Sequence, residues 1–352
     1  MPPTRSYHDR FTPISVQYTQ SRLSRWGFTP AVLEYLRRLR LPDRLAAVSI
    51  RSASDAHFRP VDKLMTLVMI FVTGIARISH IDRAFAGETA LAGLLGLDRF
   101  PSSDRLYALL SRATGWHVRQ VDRIHQQYLD ERAGLEPTFV IADLDLSARS
   151  TEGRKREGAT PGHNPKHKGR DCYQWAVAFA SGLVVWQRLC RGNTSGHGLV
   201  RTALEALRQR LPRLDLIRLD GGFLSAKVLN DLVEERVPFL TKAGRKLVSV
   251  RSLIDQTQPW QWQGYDEETR LRRCLRVRLL DDLRTPMTVV LVECRRRVKK
   301  MKKGRLRWQA KLAHYAIVTD LHHWSTARIY ETYKRRWAGP AHINVVEESG
   351  LP

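Results

Sequence analysis

The chain has 352 residues, enough for two or three domains at the usual ~100–200 residues each. Its 43% hydrophobic content supports a packed core and argues against disorder, and 59 Lys and Arg against 35 Asp and Glu give a net charge of +24. That excess points to a polyanionic partner. A membrane is the weakest candidate, because the longest apolar run, Leu64 to Ala76, falls short of the ~20 residues of a spanning helix.

Residues 1–137 predict a helical region. Its first stretch, Met1 to Arg10, is polar and has none of the apolar character of an export signal, so a soluble, cytoplasmic chain is the expectation. Ala31 to Arg40 places Leu33, Leu36 and Leu39 on one stripe and Arg37, Arg38 and Arg40 largely off it. Leu64 to Ile75 is apolar nearly all round and reads as a buried helix, with Met65, Met69 and Phe71 in the core. Thr89 to Leu95 and Ser103 to Ala113 read as two short helices joined through Gly96 and Pro101. Ser102 or Ser103 is the cap and Gly115 the stop. Two helices across a tight turn, with Arg105 and Arg112 on the second, fit either a helix-turn-helix DNA reader or an ordinary helical pair.

From Thr138 the period changes. Thr138–Leu146 is an apolar run interrupted by acids; Tyr173–Ala180 and Leu183–Leu189 flank Ser181-Gly182, a two-residue hairpin signal. A helix near Gly198–Arg210, a strand Leu214–Leu219, a helix Ser225–Glu235 and a strand Val237–Thr241 follow. Strand, hairpin, helix, strand, helix, strand is the order of a ribonuclease-H-like core, assigned here to residues 138–244. Many α/β folds share pieces of that order.

Residues 245–312 predict a β-rich insertion. Leu275, Val277 and Leu279 alternate with Arg276 and Arg278, and Thr288–Val292 is a continuous apolar strand. Arg295 to Arg305 then holds eight Lys or Arg in eleven residues. This block reads as a basic hairpin tip that either stays solvated or contacts phosphates through Lys299, Lys300, Lys302 and Lys303. The core resumes over residues 313–337 with the strand His314–Asp320 and a helix from Ser325 to Trp337; residues 338–352 form a tail of different character.

Two groups of acids stand out. On a strand, side chains alternate, so Asp143 and Asp145 share one face while Ala142, Leu144 and Leu146 share the other. Such a pair reads either as solvated acids at a strand end or as oxygen ligands for a hard divalent cation. Asp220 ends an apolar strand just before Gly221-Gly222, where α/β sheets gather their sites. Arg218 lies on the same face and offers Asp220 a purely structural partner. The cysteines Cys172, Cys190, Cys274 and Cys294 have no C-x-x-C spacing and read as isolated reduced thiols. His163 and His167 fall in a Gly/Pro/Lys-rich loop and read as solvated. Trp260 and Trp262 have the aromatic character to stack on a flipped base, but read as strand packing.

Taken in order, Asp145-x-Ser147, Arg218-x-Asp220-Gly-Gly-Phe223 and Tyr333-x-x-Arg336 resemble the signatures of bacterial insertion-sequence DDE transposases. The relevant group carries a β-strand insertion and a Y-x2-R-x3-E-x6-K helix. Leu189-Cys-Arg-Gly-Asn193 and Val318-Thr-Asp320 add to the likeness, which spans roughly Leu64 to Trp337. The resemblance implies a ribonuclease-H-like catalytic core with a β-rich insertion, preceded by a helical DNA-binding domain. It implies two Mg²⁺ or Mn²⁺ ions held by carboxylates for in-line displacement at DNA ends. Asp145 would be the bridging ligand and Asp220 the second, with Asp143 the rival for the first role. Tyr333 and Arg336 would hold DNA phosphates near the cut. The implied partners are double-stranded DNA, both element terminal inverted repeats and target, with a homodimer bridging two ends and a nucleoid setting in a bacterium.

One departure limits the expectation. The signature calls for Glu at 340 and Lys at 347, where this chain has Pro340 and Glu347. Proline interrupts a helix there, and Glu347 and Glu348 would substitute only by folding back. The sequence therefore reads as truncated before the third acid, with strand cleavage and transfer impaired. The alternative is a non-catalytic DNA-binding derivative that competes for element ends. A ribonuclease-H-like nuclease of RNA or repair fits the fold but not the Tyr333–Arg336 helix.

Overall fold

The computed structural model describes residues 24–51, 57–132, 139–151, 156–165, 167–302 and 305–337, with the side chains of residues 132, 296–310 and 337 excepted. The described residues divide into a first unit up to Glu131 and a second from Arg132.

The first unit is helical. α1 (Thr29–Arg38), α2 (Leu41–Ala46) and α3 (Pro60–Val72) are followed by α4 (Ile81–Ala84), α5 (Thr89–Leu94), α6 (Ser103–Leu110) and α7 (Gly115–Arg132). Leu33, Met65, Met69, Ile81, Leu91 and Leu106 meet in its core. The expectation for α3 needs one correction, because Phe71 is 67% exposed while Met65 and Met69 are buried. A helix apolar all round still has an outer face, and Phe71 lies on it.

Between α5 and α6 the chain turns at Gly96 with φ +73°, which a side chain would strain. The cap of α6 comes from elsewhere in the chain: Asp82 accepts the backbone N–H of Ser103 at 2.8 Å and also its hydroxyl. Gly115 opens α7 rather than stopping a helix. The Thr114 N–H donates to His117 Nδ1 at 3.0 Å, so a side chain within the first turn takes up a backbone donor that a helix start would leave open.

The second unit is built on one mixed sheet. Its strands are β1 (Ile141–Ser150), β2 (Thr160–Pro161), β3 (Asp171–Ala180), β4 (Leu183–Arg191), β5 (Leu216–Leu219), β6 (Phe239–Gly244), β7 (Gln263–Gly264), β8 (Thr269–Val277), β9 (Met287–Lys302) and β10 (Arg305–Thr319). The spatial order is β2-β3-β1-β5-β6-β10-β9-β8-β7, with β4 also on β3. β3 lies antiparallel to β1, while β5 and β6 continue parallel to it, each crossover carrying a helix: α8 (Gly196–Arg210), then α9 (Ala226–Glu234). This is a mixed α/β fold consistent with a ribonuclease-H-like core. The β3–β4 turn uses Ser181 and Gly182, both at positive φ (51° and 79°), as a two-residue hairpin of this hand requires.

Between β6 and β10 come α10 (Val248–Asp255) and the strands β7 to β9. They extend the core sheet, because β10 pairs from Arg305 to His314 with β9 alone and from Tyr315 to Thr319 with both β9 and β6. A single strand thus runs through the boundary expected near residue 312. α11 (Thr326–Lys334) then crosses one face, burying Ile329, Tyr330 and Tyr333 against Leu216, Leu240, Ile317, Val290 and Val292. Its N-cap is Ser325, whose hydroxyl accepts the Arg328 N–H at 3.2 Å. Among the described residues no helix is long and apolar enough to cross a membrane, and the four cysteines are free.

Candidate active site

The site follows from register. On the parallel pair β1 and β5, Asp143 stands beside Arg218 and Leu144 beside Leu219, so Asp145, inside β1, and Asp220, just past the end of β5, stand at the same level. Strand alternation puts all four polar residues on one face, with parallel neighbours ~4.8 Å apart. Asp220 keeps extended backbone (φ −74°, ψ 163°), and Gly221 starts the turn beyond it. A Cβ on Gly221 would approach the Lys242 carbonyl oxygen of β6 to 3.0 Å, which accounts for glycine after the acid.

α11 closes the face from above. Arg218 donates to both carboxylate oxygens of Asp143 (2.6 and 2.5 Å) and its third nitrogen to the Thr332 carbonyl (2.6 Å). Arg336, 4% exposed, donates to the Leu144 carbonyl at 3.2 Å and to Asp145 Oδ1 at 2.8 Å. Tyr333, 2% exposed, donates its hydroxyl to the Leu219 carbonyl at 3.3 Å.

The electrostatics are those of one cluster. Burial raises the Asp143 carboxyl pKa above its ordinary range, and the Arg218 fork opposes the shift. Burial alone would lower the Arg336 pKa, but Asp145, Tyr333, Asp220 and Asp143 together raise it, so the guanidinium stays charged. Burial raises the Tyr333 phenol further still, and it remains a donor at any physiological pH.

Several expectations shift at this point. Arg218 pairs with Asp143 rather than with Asp220, which removes the structural partner the sequence offered for Asp220. Tyr333 and Arg336, expected at DNA phosphates, point inward and hold the backbone and the acids. On an amphipathic helix laid over a sheet, the signature face is the buried one. Lys299, Lys300 and Lys302 lie on β9 but their side chains are outside the described residues, as are Lys303 and the whole of residues 338–352, including Pro340, Glu347 and Glu348. Trp262 packs beside His314 at 6.1 Å between ring centroids, whereas Trp260 is 78% exposed, a correction to its strand-packing reading. It sits in the helical turn Pro259–Gln261, not on a strand.

Three carboxylates here face two guanidiniums. Both oxygens of Asp143 are taken; Asp145 offers its second oxygen, and no described residue hydrogen-bonds or ion-pairs with the Asp220 carboxylate. Two hard oxygen donors and one uncompensated negative charge fit a divalent cation in donor chemistry. Among the described residues no group of three or more acids, His or Cys is placed to hold one.

The mixed sheet, with Asp145 inside β1 and Asp220 just past the end of β5, defines an α/β class consistent with a ribonuclease-H-like core. The sequence profile of the transposase DDE domain matches residues 136–338, more than half of the chain, and the protein belongs to that family. Domains of this family generally use divalent metals. No curated protein matches the chain. Among solved structures it is similar to the piggyBac transposase synaptic complex with hairpin DNA at 14% identity, over 90% of this chain and 67% of that one, with a TM-score of 0.47. It is also similar to the Mos1 strand transfer complex at 15% identity, over 62% of this chain and 78% of that one, with a TM-score of 0.20. Both likenesses are distant, and the family assignment rests on the DDE-domain match.

Proposed function

We propose that the protein acts on the DNA ends of a bacterial insertion sequence, with Asp145 and Asp220 as ligands of Mg²⁺ or Mn²⁺. The observation that supports this most is the level placement of these two acids on adjacent parallel strands, with Asp220 unpaired among the described residues. When bound, the cation supplies activation of the attacking hydroxyl and stabilisation of the leaving 3′-oxygen. The chain's own residues fix its ligands: Arg336 orients Asp145 through Oδ1, and Tyr333 ties α11 to the backbone just before Asp220. Asp143 takes the role of a positioning acid rather than a ligand, since Arg218 occupies both of its oxygens.

The partner in this reading is double-stranded DNA, namely terminal inverted repeats and target, engaged by a homodimer with help from the helical first unit and the lysines 299, 300, 302 and 303. With Pro340 where the signature carries Glu, the ligand set loses its third acid and the geometry catalysis needs. Binding without efficient cleavage follows, and a chain of that kind competes for element ends. The test is a comparison of Asp220→Ala and Asp145→Ala with the parent for Mn²⁺ binding by calorimetry, end binding and nicking. Loss of metal binding in both variants with unchanged end affinity supports the site. Unchanged Mn²⁺ binding in both overturns it, and cleavage of the RNA strand in a hybrid would move the assignment to a nuclease.

A further inference from the structure

The first unit holds a cationic cavity that the acids of the second unit do not explain. It is lined by Ser49, Arg51, Arg112 and His117. The local fold builds it. Val48 and Ile50 are buried in the helical core, so the alternate residues Ser49 and Arg51 face outward. Ser49 is fixed to α7: its backbone N–H and its hydroxyl both donate to Gln120 Oε1 (2.9 and 3.2 Å), and the hydroxyl accepts from Gln120 Nε2 at 2.9 Å, so Gln120 holds the segment beside α7. Gln120 lies one turn beyond His117 on the same helix, which sets His117 beside this segment.

His117 is oriented as a donor. Its Nδ1 accepts the Thr114 N–H, so the ring proton of the neutral form sits on Nε2. Arg112 comes from the turn between α6 and α7, on the cavity's remaining side.

The contrast with a neighbouring cavity decides what this one takes. That neighbour is lined by three arginines together with the acids Asp43 and Glu131: Arg40 pairs with Asp43 at 3.8 Å, Arg44 with Glu131, and Arg123 lies over the Trp116 ring. Around Ser49, Arg51, Arg112 and His117 no described acid contributes to the lining. Two guanidiniums and an imidazole N–H lining one cavity with no acid among its described lining match a tetrahedral oxyanion with several acceptor oxygens.

We infer that this cavity seats one backbone phosphate of duplex DNA, anchoring the helical unit on the partner proposed above. The site reads no sequence, because phosphate contacts set position rather than specificity. Counterion release makes the inference quantitative: one phosphate held in one cavity contributes a salt slope of about 0.9, however many side chains hold it.

The test measures duplex affinity of the full chain by fluorescence anisotropy across a salt series, for the parent, Arg51→Ala, Arg112→Ala and the double variant. Both guanidiniums are exposed, so folding is checked by thermal melting and should not change. Each single variant is expected to weaken binding about tenfold on any sequence. The double variant should lower the slope by about 0.9 in total. A drop near 1.8 would mean two unrelated solvated arginines and overturn the site, as would an unchanged slope.

A second arm replaces chloride by inorganic phosphate at constant ionic strength, which should weaken DNA binding of the parent more than that of the double variant. Phosphate binding with no effect on the DNA slope would make the cavity a free-anion site and overturn the DNA assignment. Failure of the parent to bind duplex at all would overturn the site and the proposed function together, whereas an unmoved slope with normal metal binding overturns the site alone.

Discussion

Arg218 shows how much one residue's partner depends on register. Its sequence position two before Asp220 offers a local pair, yet on parallel strands it faces Asp143 and forms a fork with both carboxylate oxygens. Asp143 and Arg218 are each 7% exposed, so neither charge has water to fall back on. Removing one partner strands the other, at a cost of about 3–5 kcal/mol, whereas apolar replacement of both avoids the lone charge. Asp143→Leu and Arg218→Met should each destabilise by that amount in urea unfolding. The double variant should lose less than the sum. Strict additivity would show that the pair is not energetically coupled. Arg218→Lys is not expected to rescue, because an ammonium cannot reach both oxygens and the Thr332 carbonyl at once.

At the scale of elements, glycines test which segments touch. Gly192, just beyond β4, lies against the carbonyls of Thr160 in β2 and Cys172 in β3; a methyl there would fall inside the backbone of both. Gly198 in α8 has nothing within 4 Å of its missing Cβ. The two should therefore respond to alanine with opposite signs. Gly192→Ala should destabilise by about 1–3 kcal/mol by forcing β2 off β3. Gly198→Ala should stabilise by up to ~1 kcal/mol through helix propensity. Chemical denaturation of the two variants beside the parent decides this, and equal effects would mean that the corner at Gly192 is looser than described. The same corner gives a physical reason for glycine in the Leu189-Cys-Arg-Gly-Asn193 segment, which the sequence offered only as a resemblance.

For the whole molecule the dominant quantity is the charge of +24. If it serves DNA binding, affinity must be strongly salt-dependent. A protein covering 6–10 phosphates loses roughly 10³–10⁵ in affinity between 50 and 200 mM salt. Anisotropy titrations on random duplex at those two salts should show a fall of that order, and a fall below about tenfold would leave the charge without its assigned purpose. The described arginines are not all available for this task. Several are neutralised locally, as Arg270 is by Glu293 and Arg208 by Glu235, so the working positive surface is smaller than the formal charge.

What the sequence determined by itself was local and periodic. Alternation placed Asp143 and Asp145 on one face, the Ser181-Gly182 pair marked the hairpin, and the order of strands and helices pointed to a mixed α/β core with which the sheet is consistent. Ser225 and Ser325 were legible as helix starts because a cap acts within three residues. Tertiary structure alone decided the partners. It paired Arg218 with Asp143, turned Tyr333 and Arg336 inward, left Phe71 and Trp260 exposed, started α7 at Gly115, and carried β10 through an expected domain boundary. It also gathered Ser49, Arg51, Arg112 and His117 from two distant segments. The reason is physical: periodicity reports which face of an element is apolar, but which neighbour covers that face, and in what register, is set by contacts between residues far apart in the chain.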